Sequence, residues 1–349
     1  MTSEDGVLGF FILLLGVSVA LLLRFRDPRG SWFQVLVGNV LVFVLLLSML
    51  SLVGEVYYRF VYDTSDSLVV MKVGYRWFER HYRRNSAGFR DNIEYYPQIR
   101  PGARRVSFLG DSLTAGQGIR DVDDRFANRI RHMHPEWEIH VLANAGWETD
   151  RETGSLRDLI DKGYQLDQVV LVYCLNDIQD LSPQIGQINQ TYYSKPNWFI
   201  RSSYLFNTIY YRIKARTYHG DTSEAKEYWR LLREAYFGPL WDKQEHRLRA
   251  LKALVEGNGG HLSVVTFPFV HTVGSNNEFY SVHTKLERFW RHQDVPYLDL
   301  LAAFQDLPPK MLMVGRFDVH PNEYANKLVT DLLDNFLRKI MSAEEKKHR

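Results

Sequence analysis

The chain begins with two long apolar runs. Residues 7–23 are 17 uncharged residues, and residues 32–53 are 22 uncharged residues interrupted only by the amides Gln34 and Asn39. A helix needs about 20 apolar residues, with a lower limit of about 17, to cross a bilayer. The pattern therefore predicts a membrane anchor over residues 1–55 with two transmembrane helices. Two buried core helices of a soluble protein are the alternative.

The charges beside these runs predict an orientation. The short connection between them holds Arg24, Arg26 and Arg29, whereas the residues before the first run include no Lys or Arg. The positive-inside rule places that connection in the cytoplasm. Everything after Glu55 is then expected outside the cytoplasm, in the periplasm of a cell whose inner membrane carries the protein. A cleaved signal peptide would have its basic residues before the first run and a small-residue cleavage site after it.

From Arg105 onwards, short apolar runs alternate with helical patterns. Each apolar run is almost continuous and is followed by turn residues, which is typical of strands in a parallel sheet covered on both faces. The sequence therefore predicts an α/β domain over residues 105–340, with its ligand site beyond the carboxyl ends of the strands. The predicted strands lie at 106–109, 138–146, 168–177, 261–269 and 295–300, and helical patterns cover 125–133, 155–163 and 243–257.

Two segments depart from this alternation. Residues 56–104 are polar and rich in aromatic residues, with Pro97 and Pro101 as breakers, and are interpreted as a connector. Residues 181–242 carry many aromatic groups and a basic amphipathic middle, and are interpreted as a helical insertion. Such an insertion could cover the carboxyl edge of the sheet, lie on a membrane surface, or pack on the core.

Composition removes several classes of function. Lys and Arg number 43 against 41 Asp and Glu, a net charge of +2, so no nucleic-acid partner is expected. The single cysteine, Cys174, excludes an internal disulfide and leaves no second thiol for a zinc or redox pair. His132, His134 and His140 form a cluster in sequence, but no carboxylates stand at ligand spacing beside them, and no metal site is expected there.

The first predicted strand ends in Gly110-Asp111-Ser112. The turn lacks the Gly-Lys-Ser/Thr of a phosphate loop and the third glycine of a dinucleotide fingerprint. Thr114 stands where the nucleophile elbow of an α/β-hydrolase has glycine. A serine that simply caps the next helix is the structural alternative. Polar or glycine residues also end the next two strands, at 144–146 and 176–177, and the segment 318–322 reads Asp-Val-His-Pro-Asn.

These four blocks, in this order, resemble the SGNH or GDSL hydrolase superfamily over residues 105–340. The four residues that name the superfamily would be Ser112, Gly146, Asn176 and His320. The resemblance implies a three-layer α/β/α sandwich with a flavodoxin-like sheet, a serine nucleophile, and ester or acyl-transfer chemistry that needs no cofactor. Two departures stand out: Cys174 occupies a position that is usually glycine, and one residue rather than two separates Asp318 from the histidine.

The roles implied by the resemblance agree with the chemistry of these side chains. A serine hydroxyl needs a neighbouring base, here His320, to become a nucleophile. Asp318 would orient the imidazole and stabilise its charge. The backbone N–H groups of Ser112 and Gly146 and the side-chain amide of Asn176 would form the oxyanion hole.

Three further polar residues near the blocks are given structural roles. Asp111 and Asp177 are expected to bind loop backbone rather than to act in catalysis. Arg90 lies in a Gly-Phe-Arg-Asp segment that resembles one preceding the hydrolase domain in some membrane-anchored relatives. It could bind a substrate carboxylate or phosphate, although an ion pair with a local acid is the preferred interpretation.

Three functions are compatible with the sequence. The first is a membrane-anchored extracytoplasmic serine esterase or acylhydrolase that acts on an acyl ester, such as an O-acetyl group, of a cell-envelope glycan or lipid. The second is an O-acyltransferase that uses the same serine to pass the acyl group to a sugar hydroxyl. The third is a non-catalytic scaffold or assembly subunit whose spans bind a membrane-protein partner.

Overall fold

The computed structural model describes residues 3–24, 31–66, 70–219, 222–274 and 277–348. The chain divides into two compact units, one formed by Met1–Phe78 and Tyr192–Gly220 and the other by Glu79–Thr191 and Asp221–Arg349. The predicted boundaries at 55/56 and 104/105 therefore do not coincide with this division. Arg26 and Arg29, on which the predicted orientation depends, lie outside the described residues.

Helices and strands of both units are numbered here in chain order, and they alternate over most of the second unit. The helices are α1 Ser3–Arg24, α2 Trp32–Val56, α3 Lys72–His81, α4 Ser112–Ala115, α5 Phe126–Met133, α6 Thr149–Asp161, α7 Pro183–Tyr192, α8 Trp198–Ser202, α9 Tyr204–His219, α10 Ser223–Ala235, α11 Pro239–Gly257, α12 Tyr280–His292, α13 Leu301–Phe304 and α14 Glu323–His348. The strands are β1 Arg104–Gly110, β2 Trp137–Ala143, β3 Gln168–Cys174, β4 His261–Phe267, β5 Tyr297–Asp299, β6 Met313–Gly315 and β7 Asp318–Pro321.

The first unit contains two helical segments that are long and apolar enough to cross a membrane. They are Asp5–Arg24 and Trp32–Val61, and only 17% and 11% of their most apolar windows are buried. Large apolar side chains such as Phe43 and Leu50 are 66% exposed. Core helices of a soluble protein bury their apolar face, so these segments differ from the alternative of two buried core helices.

The second unit is built on a parallel sheet with strand order β2-β1-β3-β4-β5. This is the flavodoxin-like order, with its switch point between β1 and β3. All seven residues of β3 are buried, as its continuous apolar run predicts. The α/β fold and its five predicted strands are thereby confirmed.

Helices cover both faces of this sheet. Right-handed crossovers place α5, which follows β1, on one face, and α6, α11 and α12 on the other. Helix α14 packs against α5, whereas α11 packs against α6. The result is a three-layer α/β/α sandwich. Its largest core cluster includes Leu171, Leu248 and Trp290, all fully buried.

The segment predicted as an insertion over 181–242 is helical and is shared between the units. Helices α8 and α9 belong to the first unit, and α10 belongs to the second. Leu232 and Tyr236 of this region are completely buried in the core of the second unit. For residues 222–242, packing on the core is therefore the alternative that the structure favours.

Candidate active site

Ser112 lies at the carboxyl end of β1, on the sharp turn from strand to helix α4. Asp111 is the N-cap of that helix, and its Oδ1 accepts a hydrogen bond of 2.9 Å from the backbone N–H of Leu113. Gly110 is needed for this turn because a Cβ there would collide with Thr114 Oγ1 and lie 3.0 Å from the carbonyl oxygen of Val172. The turn leaves the Ser112 side chain partly exposed.

Asp318 and His320 lie on β7, which forms an antiparallel hairpin with β6. Side chains two residues apart on a strand point to the same face, so the spacing Asp-x-His directs the carboxylate and the imidazole to one side. Asn322 anchors the hairpin, because its Nδ2 donates to the carbonyl oxygens of Met311 and Met313 at 2.9 and 3.0 Å.

The structure brings the three side chains into one hydrogen-bonded series. His320 Nε2 lies 2.9 Å from Ser112 Oγ, and His320 Nδ1 lies 2.6 Å from Asp318 Oδ1. Asp318 Oδ1 also accepts the backbone N–H of His320 at 3.1 Å. Asp318 is fully buried, whereas the His320 side chain is 16% exposed. With a proton on Nδ1 directed at the carboxylate, Nε2 is the ring nitrogen that accepts the hydroxyl proton.

The net electrostatic environment raises the pKa of His320. Burial lowers this pKa, but the charge of Asp318 and its hydrogen bond raise it, and Asp111 raises it further, so that the pKa lies above the ordinary value of 6.5. Burial in turn raises the pKa of Asp111. Asp111 Oδ2 lies 3.5 Å from Ser112 Oγ, so Asp111 touches the hydroxyl as well as capping α4.

The two remaining predicted site residues follow the neighbouring strands. Gly146 comes three residues after β2 and Asn176 two residues after β3, and both strands pair in parallel with β1. Both residues therefore lie at the same edge of the sheet as Ser112. Gly146 has φ +76°, and a Cβ there would meet no atom within 4 Å. Its glycine is required by the backbone conformation.

The loop that carries Asn176 is held from both sides. Tyr236 of the insertion donates its hydroxyl to the carbonyl oxygen of Leu175 at 2.7 Å, and Asp177 Oδ2 accepts the backbone N–H of Cys174 at 3.0 Å. These contacts fix the loop, in which Cys174 stands where the superfamily that the sequence resembles usually has glycine. The Oδ1 atom of Asn176 is buried and has no hydrogen-bond partner among the described residues.

Arg90 binds the loop that follows the Ser112 helix. Its Nη1 donates to the carbonyl oxygens of Ala115 and Gly116 at 3.2 and 2.5 Å, and its Nη2 donates to the carbonyl oxygen of Ile119 at 2.5 Å. Burial and the nearby Arg125 lower the pKa of Arg90 to about 9. With 1% of its surface exposed, Arg90 supports the backbone of this loop. Sequence reasoning missed this role.

The histidine cluster of the sequence is dispersed over separate partners. His134 lies between Glu136 and Asp334, with nitrogen–oxygen distances of 2.9 and 2.6 Å. His140 stacks on Tyr95 at a centroid distance of 4.2 Å. Burial and the nearby Arg105 lower the pKa of His140 to about 3. In the part of the chain that the structure describes, no three His, Cys, Asp or Glu residues come together in a group that could hold a metal ion.

No protein-family model and no curated protein matches this sequence. Among solved structures, the chain is similar to an extracellular lipase from Streptomyces rimosus, with 11% identity, TM-score 0.42 and coverage of 66% of this chain and 99% of the lipase. It is also similar to a member of the lipolytic protein G-D-S-L family from Veillonella parvula, with 11% identity, TM-score 0.38 and coverage of 65% and 94%.

A two-domain esterase active on acetylated mannans is a further similar structure, with 15% identity, TM-score 0.40 and coverage of 69% of this chain. This chain spans about half of that esterase, 51% of its length. All of these identities are low and all of these TM-scores lie below 0.5. The function proposed below therefore rests on the geometry of the site itself.

Proposed function

We propose that the chain is a membrane-anchored, extracytoplasmic serine esterase or acylhydrolase. The observation that carries the proposal is the series Ser112 Oγ, His320 Nε2 and Nδ1, and Asp318 Oδ1, with distances of 2.9 and 2.6 Å. Such a series converts a weak nucleophile into an effective one. The proposed substrate class is an acyl ester, such as an O-acetyl group, of a cell-envelope glycan or lipid.

In the proposed mechanism, His320 removes the hydroxyl proton while Ser112 Oγ attacks the ester carbonyl. The backbone N–H groups of Ser112 and Gly146 and the amide of Asn176 stabilise the oxyanion. His320 then returns the proton to the departing alcohol, which leaves an acyl group on Ser112. A water molecule activated by the same imidazole releases the acid and restores the serine. Asp318 stabilises the imidazolium in both steps.

The membrane part of the proposal is supported by the first unit. Two helical segments of sufficient length leave most of their apolar side chains exposed, and an apolar surface of this extent requires an apolar surrounding. The arginines between the helices assign the connection to the cytoplasmic side of the membrane by the positive-inside rule. The second unit then lies on the extracytoplasmic side of a bacterial inner membrane.

Hydrolysis of p-nitrophenyl acetate by the purified full-length protein tests the proposed chemistry. We expect turnover by the wild type and a loss of about 10⁴-fold or more in Ser112→Ala. The same assay with an added oligosaccharide separates hydrolysis from acyl transfer, because a transferase forms acetylated sugar in place of free acetate. Equal rates for wild type and Ser112→Ala would contradict both, and a wild type without turnover would favour the scaffold.

A further inference from the structure

A segment from the middle of the chain, formed by α8 and α9, packs against the N-terminal helices. Helices α8 and α9 belong to the same compact unit as α1 and α2. The ring of Phe199 meets Phe10 edge to face with centroids 6.2 Å apart, and the ring of Phe206 lies 6.0 Å from that of Phe11. Residues nearly 200 positions apart thus form one aromatic cluster on the first apolar helix.

The start of α9 is fixed by a buried acid at the end of the second apolar helix. Glu55 is fully buried. Its carboxylate accepts the Ser203 hydroxyl at 2.7 Å and the backbone N–H groups of Tyr204 and Leu205, each at 2.9 Å. A helix N-terminus stabilises an anion through these donors and its dipole. Helix α9 therefore supplies what a carboxylate beside an apolar span requires.

These contacts lie on the apolar side of an ion pair between the two helices. Arg59 and Asp5 are joined at 2.8 Å and mark a polar level on both helices. Phe10 follows Asp5 by five residues, which is about 7 Å along a helix, and Glu55 precedes Arg59 by about 6 Å. Helix α8 and the first turn of α9 thus contact the helices below that polar level, at the edge of the apolar surface.

Helix α8 also exposes an aromatic side chain. Trp198 is 61% exposed, and Arg201 is exposed in the same short helix. Exposed Phe10 and Val53, at 48% and 61%, continue the apolar surface on α1 and α2. Tryptophan beside a basic residue is the composition found where a protein meets the headgroup region of a bilayer.

We propose that α8 is seated in the interfacial region of the bilayer that α1 and α2 cross, so that a third segment contacts lipid. The inference rests on the membrane anchoring proposed above. Continuity of the aromatic cluster with the spanning helices selects a lipid surface over other occupants. The inserted segment then holds the first unit at a fixed depth in the bilayer, with Trp198 at the boundary between hydrocarbon and headgroups.

Nitroxide labels on the full-length chain in phosphatidylcholine–phosphatidylglycerol vesicles test this depth. Single labels are placed at Trp198→Cys, at Phe43→Cys in the middle of α2, and at Met133→Cys on the second unit, where the native side chains are 61%, 66% and 46% exposed. The native Cys174 is buried, and the unsubstituted chain measures its background labelling. Power saturation gives the ratio of oxygen to nickel-chelate collisions at each label.

The ratio of oxygen to nickel-chelate collisions is expected to be highest at position 43, intermediate at 198 and lowest at 133, because oxygen partitions into hydrocarbon and the chelate into water. The ratio at position 198 is expected to be severalfold above that at position 133. A ratio at 198 equal to that at 133, with a lipid-like value at 43, overturns the inference and leaves the membrane anchor intact. Water-like values at all three positions contradict the inference and the anchor together. Circular dichroism of each variant, compared with the unsubstituted chain, checks that the chain is folded.

Discussion

The two compact units of this chain differ in the side chains that they expose. The second unit encloses apolar strands and also buried polar groups, such as Asp318 and Arg90, that are hydrogen-bonded to other protein groups. The first unit leaves Phe43 and Leu50 66% exposed while it encloses the carboxylate of Glu55. Under the proposed membrane anchoring, one physical rule accounts for both units: a group is placed in the surroundings that solvate it, which are lipid for the spanning helices and water for the second unit.

Replacing Asp318 has the largest expected effect on the second unit. Asp318→Asn is expected to lower kcat for ester hydrolysis by about 10⁴-fold, because an amide neither stabilises the imidazolium nor fixes the productive tautomer. The measurement is steady-state hydrolysis of p-nitrophenyl acetate, with circular dichroism to verify the fold. A well-folded variant that retains most of the wild-type kcat would show that the buried carboxylate is structural.

Removing the amide of Asn176 is expected to lower kcat by about 10²–10³-fold, as for the loss of one oxyanion donor. The variant is Asn176→Ala, measured in the same assay. Asn258→Ala is the matched control, because Asn258 is exposed and precedes β4 at the opposite edge of the sheet. A similar loss in both variants would indicate a general effect on folding.

A matched pair of lysine substitutions tests whether α2 lies in lipid while the second unit lies in water. Phe43→Lys in the middle of α2 is expected to raise the apparent free energy of membrane insertion by about 2.5–3.5 kcal/mol. Met133→Lys on the second unit, at a site that is also exposed, is expected to leave insertion unchanged. The readout is the fraction of protein retained in carbonate-washed membranes. Equal retention of both variants would argue against a spanning role for α2.

Arg90→Lys tests the support of the loop that follows Ser112. An ammonium group cannot reach the carbonyls of Ala115, Gly116 and Ile119 together, so we expect the free energy of unfolding to fall by about 2 kcal/mol. Arg100→Lys is the control, since Arg100 is 61% exposed in its pair with Glu138, where exposed pairs contribute about 0–1 kcal/mol. Thermal unfolding of the two variants gives the comparison.

The raised pKa of His320 gives the smallest effect, a shift in the pH profile. A protonated imidazole cannot accept the hydroxyl proton, so activity is lost as the pH falls through this pKa. The acid limb of kcat/KM is therefore expected to have its midpoint above pH 6.5, the ordinary value. In Asp318→Asn the residual activity is expected to have its midpoint at lower pH than the wild type. An unchanged midpoint would contradict the assigned pair.

Sequence patterns predicted the sheet because each strand carries its own local signal. The apolar run of β3 indicated a strand buried on both faces, and all of its residues are buried. One residue rather than two separates Asp318 from His320, which departs from the usual pattern of the superfamily that the sequence resembles. The structure explains this departure. Both residues lie on a strand, where side chains at positions i and i+2 share a face.

Other features depend on contacts between distant positions and left no local signal. The sequence did not predict that the Arg90 guanidinium binds backbone carbonyls some 25 residues away. Backbone acceptors carry no sequence signature. The membership of α8 and α9 in the first unit similarly depends on Glu55, whose partners lie about 150 residues later.

Reaction with a fluorophosphonate probe, followed by peptide mass mapping, tests the central claim most directly. The account predicts a single covalent adduct on Ser112 in the wild type and no adduct in Ser112→Ala. It also predicts much slower labelling in His320→Gln, which cannot accept the hydroxyl proton. A folded wild type that forms no adduct, or an adduct formed equally fast without His320, would contradict an activated serine at this site.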